Sequence, residues 1–228
     1  MPSPDSLHEE STPVSPMALE VTDLPPGRID EAVDVLSDAF FDYPVMRFVI
    51  GEAGSAYAQH LRTLIHFFTT ARFVRNDLVM GVTTAEGGIL AVANINRPGE
   101  RESPPALSEL REQVWREVGD EARSRYEAYG EAAGKFVVLQ PHYHLGMIGV
   151  RRASAGQGLG RRLLDALHER SHHDVESHGV TLNTEDPNNV PLYQHFGYRV
   201  IGHARVSPEL QTWAFYRERS TTATPHGD

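Results

Sequence analysis

The sequence predicts an α/β fold of three layers, with a central mixed sheet of about seven strands flanked by helices. Three observations carry that prediction. Apolar runs of strand length alternate with segments of helical periodicity along most of the chain. One apolar run ends at Val150 and passes through a glycine-rich loop straight into a helical pattern. A strand-like pair, residues 198–203 and 210–216, closes the domain.

The elements follow in order. Residues 1–16 are rich in Ser, Pro and Glu and are expected to lack order. Residues 17–218 form the domain and 219–228 a disordered tail. Residues 17–21 read as a first strand. Residues 30–41 carry apolar side chains at helical spacing, with Asp42-Tyr43-Pro44 as their stop. A second helix covers 56–73. Residues 77–84 and 88–94 alternate as a strand pair around Glu86-Gly87-Gly88. A helical insert occupies 103–133, opened by Ser103-Pro104 and broken at Gly119-Asp120. It is expected to form one wall of a ligand pocket. Residues 136–150 hold the central strand, interrupted by Pro141 and bulged near Gly146. A helix over 158–176, a strand over 180–184 and a short helix over 190–195 precede the closing pair.

Residues 147–164, MIGVRRASAGQGLGRRLL, hold the most chemistry. Gly156, Gly158 and Gly160 sit at alternate positions between a strand and a helix. The first amides of a helix have no partner within it, the helix dipole favours an anion there, and glycine lets a ligand approach the backbone. The loop is therefore a candidate phosphate cradle, built from the backbone of Gly156, Gln157, Gly158, Leu159 and Gly160 with Arg161 and Arg162 beside it. A dinucleotide fingerprint would place its third glycine where Arg161 stands, and a P-loop would need a lysine and a hydroxyl that do not follow.

Gly158-Leu159-Gly160 fits the pyrophosphate loop of the GNAT-type N-acetyltransferases, with Ala155 where that family usually has Gln or Arg. Downstream, Asn189, Tyr193, Gly197 and Tyr198 match the family's second signature, in the right order and at the right separation. Residues 39–44 and Thr212-Trp213 resemble puromycin N-acetyltransferase and its relatives. The resemblance covers residues 17–218 and is strongest over 142–202. It implies a GNAT-like fold, acetyl-CoA as donor, no metal, and a primary amine of a small molecule or peptide as acceptor. By that resemblance the backbone of Ile148, Gly149 and Val150 pairs with the pantetheine arm and polarises the acetyl carbonyl. Asn189 hydrogen-bonds the arm or caps the short helix, and Tyr193 protonates the leaving thiolate.

On the acceptor side, Asp42 and Tyr43 match the family's acceptor motif. His142 and His144 share a face of the central strand and have a side chain suited to accepting a proton. Each histidine reads more readily as a core residue than as a base, and a water chain could serve in place of a base. Two non-catalytic readings stay open beside acetyl transfer: an acyl-CoA-binding sensor and an interaction protein.

His168-Glu169-Arg170-Ser171-His172 matches the H-E-x-x-H helix of zinc peptidases. Val175 stands where the longer form of that motif needs glycine. His168 and His172 fall outside the arc of Leu163, Leu164 and Leu167, so the reading preferred here is a solvent-facing, histidine-rich helix end.

The formal charge of −10 argues against a nucleic-acid partner. No apolar run reaches membrane-spanning length, and the acidic N-terminus lacks a signal-peptide pattern, so a cytoplasmic protein is expected. The absence of cysteine excludes disulfides and a cysteine nucleophile. The sequence sets no oligomeric state.

Overall fold

A computed structural model of the chain describes residues 19–99 and 103–219. Seven strands form one mixed sheet in the order β1-β2-β3-β4-β5-β7-β6. They are β1 (Glu20–Asp23), β2 (Leu78–Thr83), β3 (Ile89–Asn96), β4 (Tyr143–Val150), β5 (Gly179–Thr184), β6 (Arg199–Arg205) and β7 (Gln211–Glu218). All neighbours are antiparallel except β4 and β5. The helices are α1 (Ile29–Ala39), α2 (Pro44–Ile50), α3 (Tyr57–Val74), α4 (Pro105–Val118), α5 (Asp120–Ala133), α6 (Leu159–His173) and α7 (Asn189–His195).

The sheet separates two apolar cores. On one face Val33 and Leu36 of α1 and Leu61, Leu64 and Ile65 of α3 pack with Val92 and Met147, and α4 adds Leu107 and Trp115. On the other, Leu163, Leu164 and Leu167 of α6 pack with Ile95, Tyr143, Leu182 and Phe215. Each of these leucines is buried, which stabilises the fold by about 1.5–3 kcal/mol apiece. The three-layer expectation holds. Gly149 lets α1 lie close on β4: a Cβ there would stand 2.8 Å from that of Ala39.

Three local expectations need correction. Pro44 does not end a helix. It occupies the first turn of α2, where its missing N–H costs nothing and its fixed φ suits a helix start. The central strand begins at Tyr143, not at 136, because Phe136 leaves the sheet to cover Gly202. A Cβ on Gly202 would lie 2.0 Å from the Phe136 ring.

The third correction concerns His168. It is buried, not solvent-facing, and its Nε2 lies 2.9 Å from the Tyr198 hydroxyl. That contact turns one half of the H-E-x-x-H pair inward and uses the nitrogen a metal would need. Among the described residues no group of three His, Asp or Glu side chains is placed to hold a metal ion. Nor is any helix there long and apolar enough to cross a membrane. The expected tails, residues 1–16 and 219–228, lie outside the described residues save for Arg219.

Burial pulls the pKa of His168 down from 6.5 to about 4, with the charge of Arg217 adding to the effect. The unfolded chain therefore takes up this proton at a higher pH than the folded one. Stability from the neutral ring is full above pH 6.5 and is lost as pH falls towards about 4. His168→Gln keeps a partner for Tyr198 without the titration. Its melting temperature should fall less than that of the parent between pH 7 and pH 5, and equal losses in thermal melts would contradict this.

Candidate active site

β4 is the strand on which the site is built. It pairs with β5 only through Tyr143↔Val180, His144↔Thr181 and Leu145↔Leu182. Its pairing with β3 continues to Val150. The pairing register with β3 jumps from Asn94↔Met147 to Ile95↔Leu145, so Gly146 is an extra residue in a bulge. This is the bulge the sequence predicts. Beyond it β4 bends away from β5, and one edge of the strand is left open.

The geometry names the free groups. Arg151 donates its amide to Leu90 O on β3, at 2.8 Å. Amides alternate sides along a strand, so Gly149 also faces β3, while Ile148 and Val150 turn to the open edge. Those two residues present unpaired N–H and C=O groups to any extended ligand.

The glycine loop lies just beyond this edge. Gly156 and Gly158 both have positive φ, 78° and 72°, and Gly158 is the left-handed residue that starts α6. The first intrahelical bond runs from Arg162 N to Gly158 O at 3.1 Å. The amides of Leu159, Gly160 and Arg161 therefore have no partner inside the helix. The Leu159 side chain is buried in the core, so only its amide is available to a ligand. Gln157 and Arg162 are exposed, and Arg161 is also exposed, with Asp165 at 3.5 Å.

At the other end of the open edge is a cavity of about 230 Å³. Its floor is β4 from His144 to Ile148 and the end of β5, and its walls come from α2, α3, α5 and α7. Phe68 and Tyr126 stack on each other in its wall, with ring centroids 5.7 Å apart. The expectation that the 103–133 segment forms a wall is met by α5, through Tyr126 and Tyr129.

A carboxylate lies at the side of this cavity. Glu185, just past β5, is buried, and burial raises its pKa above the ordinary carboxylate value. Thr212 Oγ1 donates to its Oε1 at 2.8 Å, and the Tyr129 hydroxyl donates to the same oxygen at 3.0 Å. The Glu185 amide donates to the Tyr43 hydroxyl at 3.2 Å, which also meets Thr184 Oγ1 at 2.8 Å. The sequence reading gave Glu185 no role. It lies four residues before Asn189 of the second signature, yet its hydrogen-bond partners are 56 and 27 positions away, which no local pattern reveals.

The other expected residues divide. Tyr193 is buried, lines the cavity, and has its pKa pushed up to about 12, chiefly by burial and also by Glu185. Asn189 lines the cavity and donates to Thr184 Oγ1 at 3.2 Å. It is the first residue of α7, and the cap position is Asn188, so the capping alternative falls away. Tyr43 lines the cavity. His144 does too, with Nδ1 at 2.9 Å from Thr181 Oγ1, but burial and the charge of Arg72 bring its pKa to about 4, too low for an effective base near neutral pH.

Two expected acceptor residues lie elsewhere. Asp42 is exposed and paired with Arg47 at 2.5 Å and Arg152 at 2.9 Å, so its carboxylate is engaged outside the cavity. His142 precedes β4, meets Gln140 O at 2.7 Å and borders a separate groove beside Phe136.

A split parallel strand pair, a glycine loop at one end of its open edge and a cavity at the other are now in place. A family model described as an acetyltransferase (GNAT) domain matches residues 105–211, which include the strand pair, the loop and part of the cavity lining. Over residues 105–211 the chain carries a GNAT acetyltransferase domain. Solved structures with this fold include a protein from Corynebacterium glutamicum described as histone acetyltransferase HPA2 and related acetyltransferase. It is 20% identical with a TM-score of 0.66, over 91% of this chain and 99% of that one. Arylalkylamine N-acetyltransferase 2 of Aedes aegypti is 13% identical with a TM-score of 0.59, over 89% and 99%. Polyamine N-acetyltransferase of Drosophila melanogaster is 17% identical with a TM-score of 0.56, over 88% and 100%. At such identities the likeness is one of fold. These matches carry no particular likeness to puromycin N-acetyltransferase.

Within this GNAT cavity the Tyr129 bond holds a buried carboxylate and should contribute to stability. Tyr129→Phe should lower the unfolding free energy by about 1–2 kcal/mol, since Thr212 remains as the second donor. Urea denaturation measures this, and an unchanged midpoint would contradict it.

Proposed function

We propose that the protein transfers an acetyl group from acetyl-CoA to a primary amine of a small molecule or peptide, by direct attack in a ternary complex. The observation that carries this reading is the open edge of β4, with Ile148 and Val150 unpaired between the glycine loop and the cavity. When bound, acetyl-CoA supplies a thioester at the cavity mouth.

The residues then have distinct tasks. The amides of residues 156–160 hold the diphosphate, with Arg161 and Arg162 beside it. Ile148, Gly149 and Val150 receive the pantetheine arm as an added strand, and the Ile148 amide polarises the thioester carbonyl. Asn189 orients the arm near its sulfur. Glu185 takes the proton from the attacking amine as the C–N bond forms. Its raised pKa suits a group that must accept a proton and then release it. Tyr193 gives a proton to sulfur as the C–S bond breaks, and a phenol held protonated to about 12 is in the right state to do so.

The convergence of Glu185 and Tyr193 on one cavity favours transfer over a sensor that only binds. The inward bond of His168 speaks against the zinc peptidase reading. An amine acceptor agrees with the described activity of the Drosophila neighbour, formation of N-acetylagmatine.

Release of free thiol from acetyl-CoA, assayed over an amine panel, tests the proposal. Turnover should require an amine. Tyr193→Phe should lower kcat, and Glu185→Gln kcat/KM, each by about 10²-fold, with acetyl-CoA affinity nearly kept. Tight acetyl-CoA binding without thiol release from any amine would leave the sensor reading in its place.

A further inference from the structure

We infer that the cavity holds a second recognition point, for a carboxylate, at Arg72 and Asn183, so that the preferred acceptor is an amine that also bears an acid group. This rests on the acetyl-transfer reading of the same cavity.

Arg72 projects from α3 into the cavity. Its Nη1 donates to Phe68 O at 3.2 Å, one turn back along the helix. Its Nη2 lies against Gly146, where a Cβ would stand only 2.5 Å away. The β4 bulge thus leaves room for the guanidinium by lacking a side chain. Its Nε is buried without a hydrogen-bond partner. Among the described residues Arg72 makes no salt bridge; Asp77 acts favourably on its charge and Arg75 unfavourably.

A second donor is in the same condition. Asn183 Nδ2 is buried without a partner and lines the same cavity. His144, between them on the floor, is held neutral and adds no competing charge. Two unmatched donors, one cationic, on side chains that line one cavity call for an anionic acceptor of hydrogen bonds. A guanidinium taken from water without a direct ion pair is costly, and a ligand carboxylate would offset that cost. Planar, two-oxygen recognition is what a guanidinium does best.

The opposite charge in the cavity is Glu185, which forms no ion pair with Arg72 and is tied instead to Tyr129 and Thr212. Phe68 and Tyr126 lie in the same wall as Arg72. A cavity with an acid and a guanidinium kept apart matches a molecule that carries an amine and a carboxylate. The carboxylate could arrive on the acceptor or on a dicarboxylic acyl group; the amine-bearing acceptor is the source we assign.

Matched acceptors that differ by a carboxylate decide the matter: tyrosine with tyramine, arginine with agmatine, 4-aminobutyrate with propylamine. Each is assayed with acetyl-CoA by thiol release, and tyramine is also assayed with succinyl-CoA. In at least one pair the acid should exceed its partner in kcat/KM by about 10- to 100-fold. Arg72→Met should bring that ratio close to unity, and Arg72→Lys should leave it intermediate. If Arg72→Met does not fold, Asn183→Ala should still reduce the ratio.

A preference for succinyl-CoA that Arg72→Met abolishes would keep the carboxylate site and overturn the acceptor as its source. No preference in either arm, or one undiminished in Arg72→Met, would overturn the site. If no acceptor turns over, the transfer reading fails separately. Calorimetry of the same pairs with coenzyme A present then decides: tighter binding of the acid, lost in Arg72→Met, supports the site, and equal binding overturns it.

Discussion

A strand in the middle of a sheet must pair its backbone on both sides or find something else to pair with. β4 meets that requirement with β3 along its length and with β5 only as far as Leu145. The rest of the site follows from where the pairing stops. The bulge at Gly146 bends the strand, and the separation opens the cavity between β4 and β5. The unpaired groups of Ile148 and Val150 then face a space bounded by the glycine loop on one side and Glu185 and Tyr193 on the other. The small residues serve this geometry: Gly149 admits α1, Gly146 admits Arg72, and Gly158 turns the chain into α6.

The cavity is costly electrostatically, and its support shows how that cost is met. Glu185 is buried, yet one oxygen accepts two hydrogen bonds and its own amide is taken by Tyr43. Three segments far apart in sequence, α5, β7 and the start of α2, fix one carboxylate. Burial raises its pKa while those bonds oppose the rise, which leaves a group poised for proton exchange. Among the described residues Tyr193 has no such partners, and burial keeps its hydroxyl protonated. Two titratable groups with different environments thus take the two halves of a proton-transfer pair.

Much of this was legible in the sequence because it is local. The strand–loop–helix at residues 147–164 announces itself through glycine spacing, and both halves of the sheet follow from alternation. Long-range contacts were not legible. His168 lies outside the leucine arc of α6, yet Tyr198, thirty residues on, closes over it. Pro44 reads as a stop, yet with Val45, Met46 and Val49 packed into the core it opens a helix. Asp42 matched a motif, but Arg47 and Arg152 claim it. No local pattern marks Glu185 or Arg72, and their burial is a property of the assembled cavity.

The central claim is that the open edge of β4 receives an extended ligand through its backbone. Amide hydrogen exchange, resolved residue by residue with NMR, tests it directly. Ile148 and Val150 should exchange readily in the free protein and become strongly protected with saturating acetyl-CoA, while Gly149, already bonded to β3, changes little. Protection confined to other segments, with Ile148 and Val150 unaffected, would contradict the account.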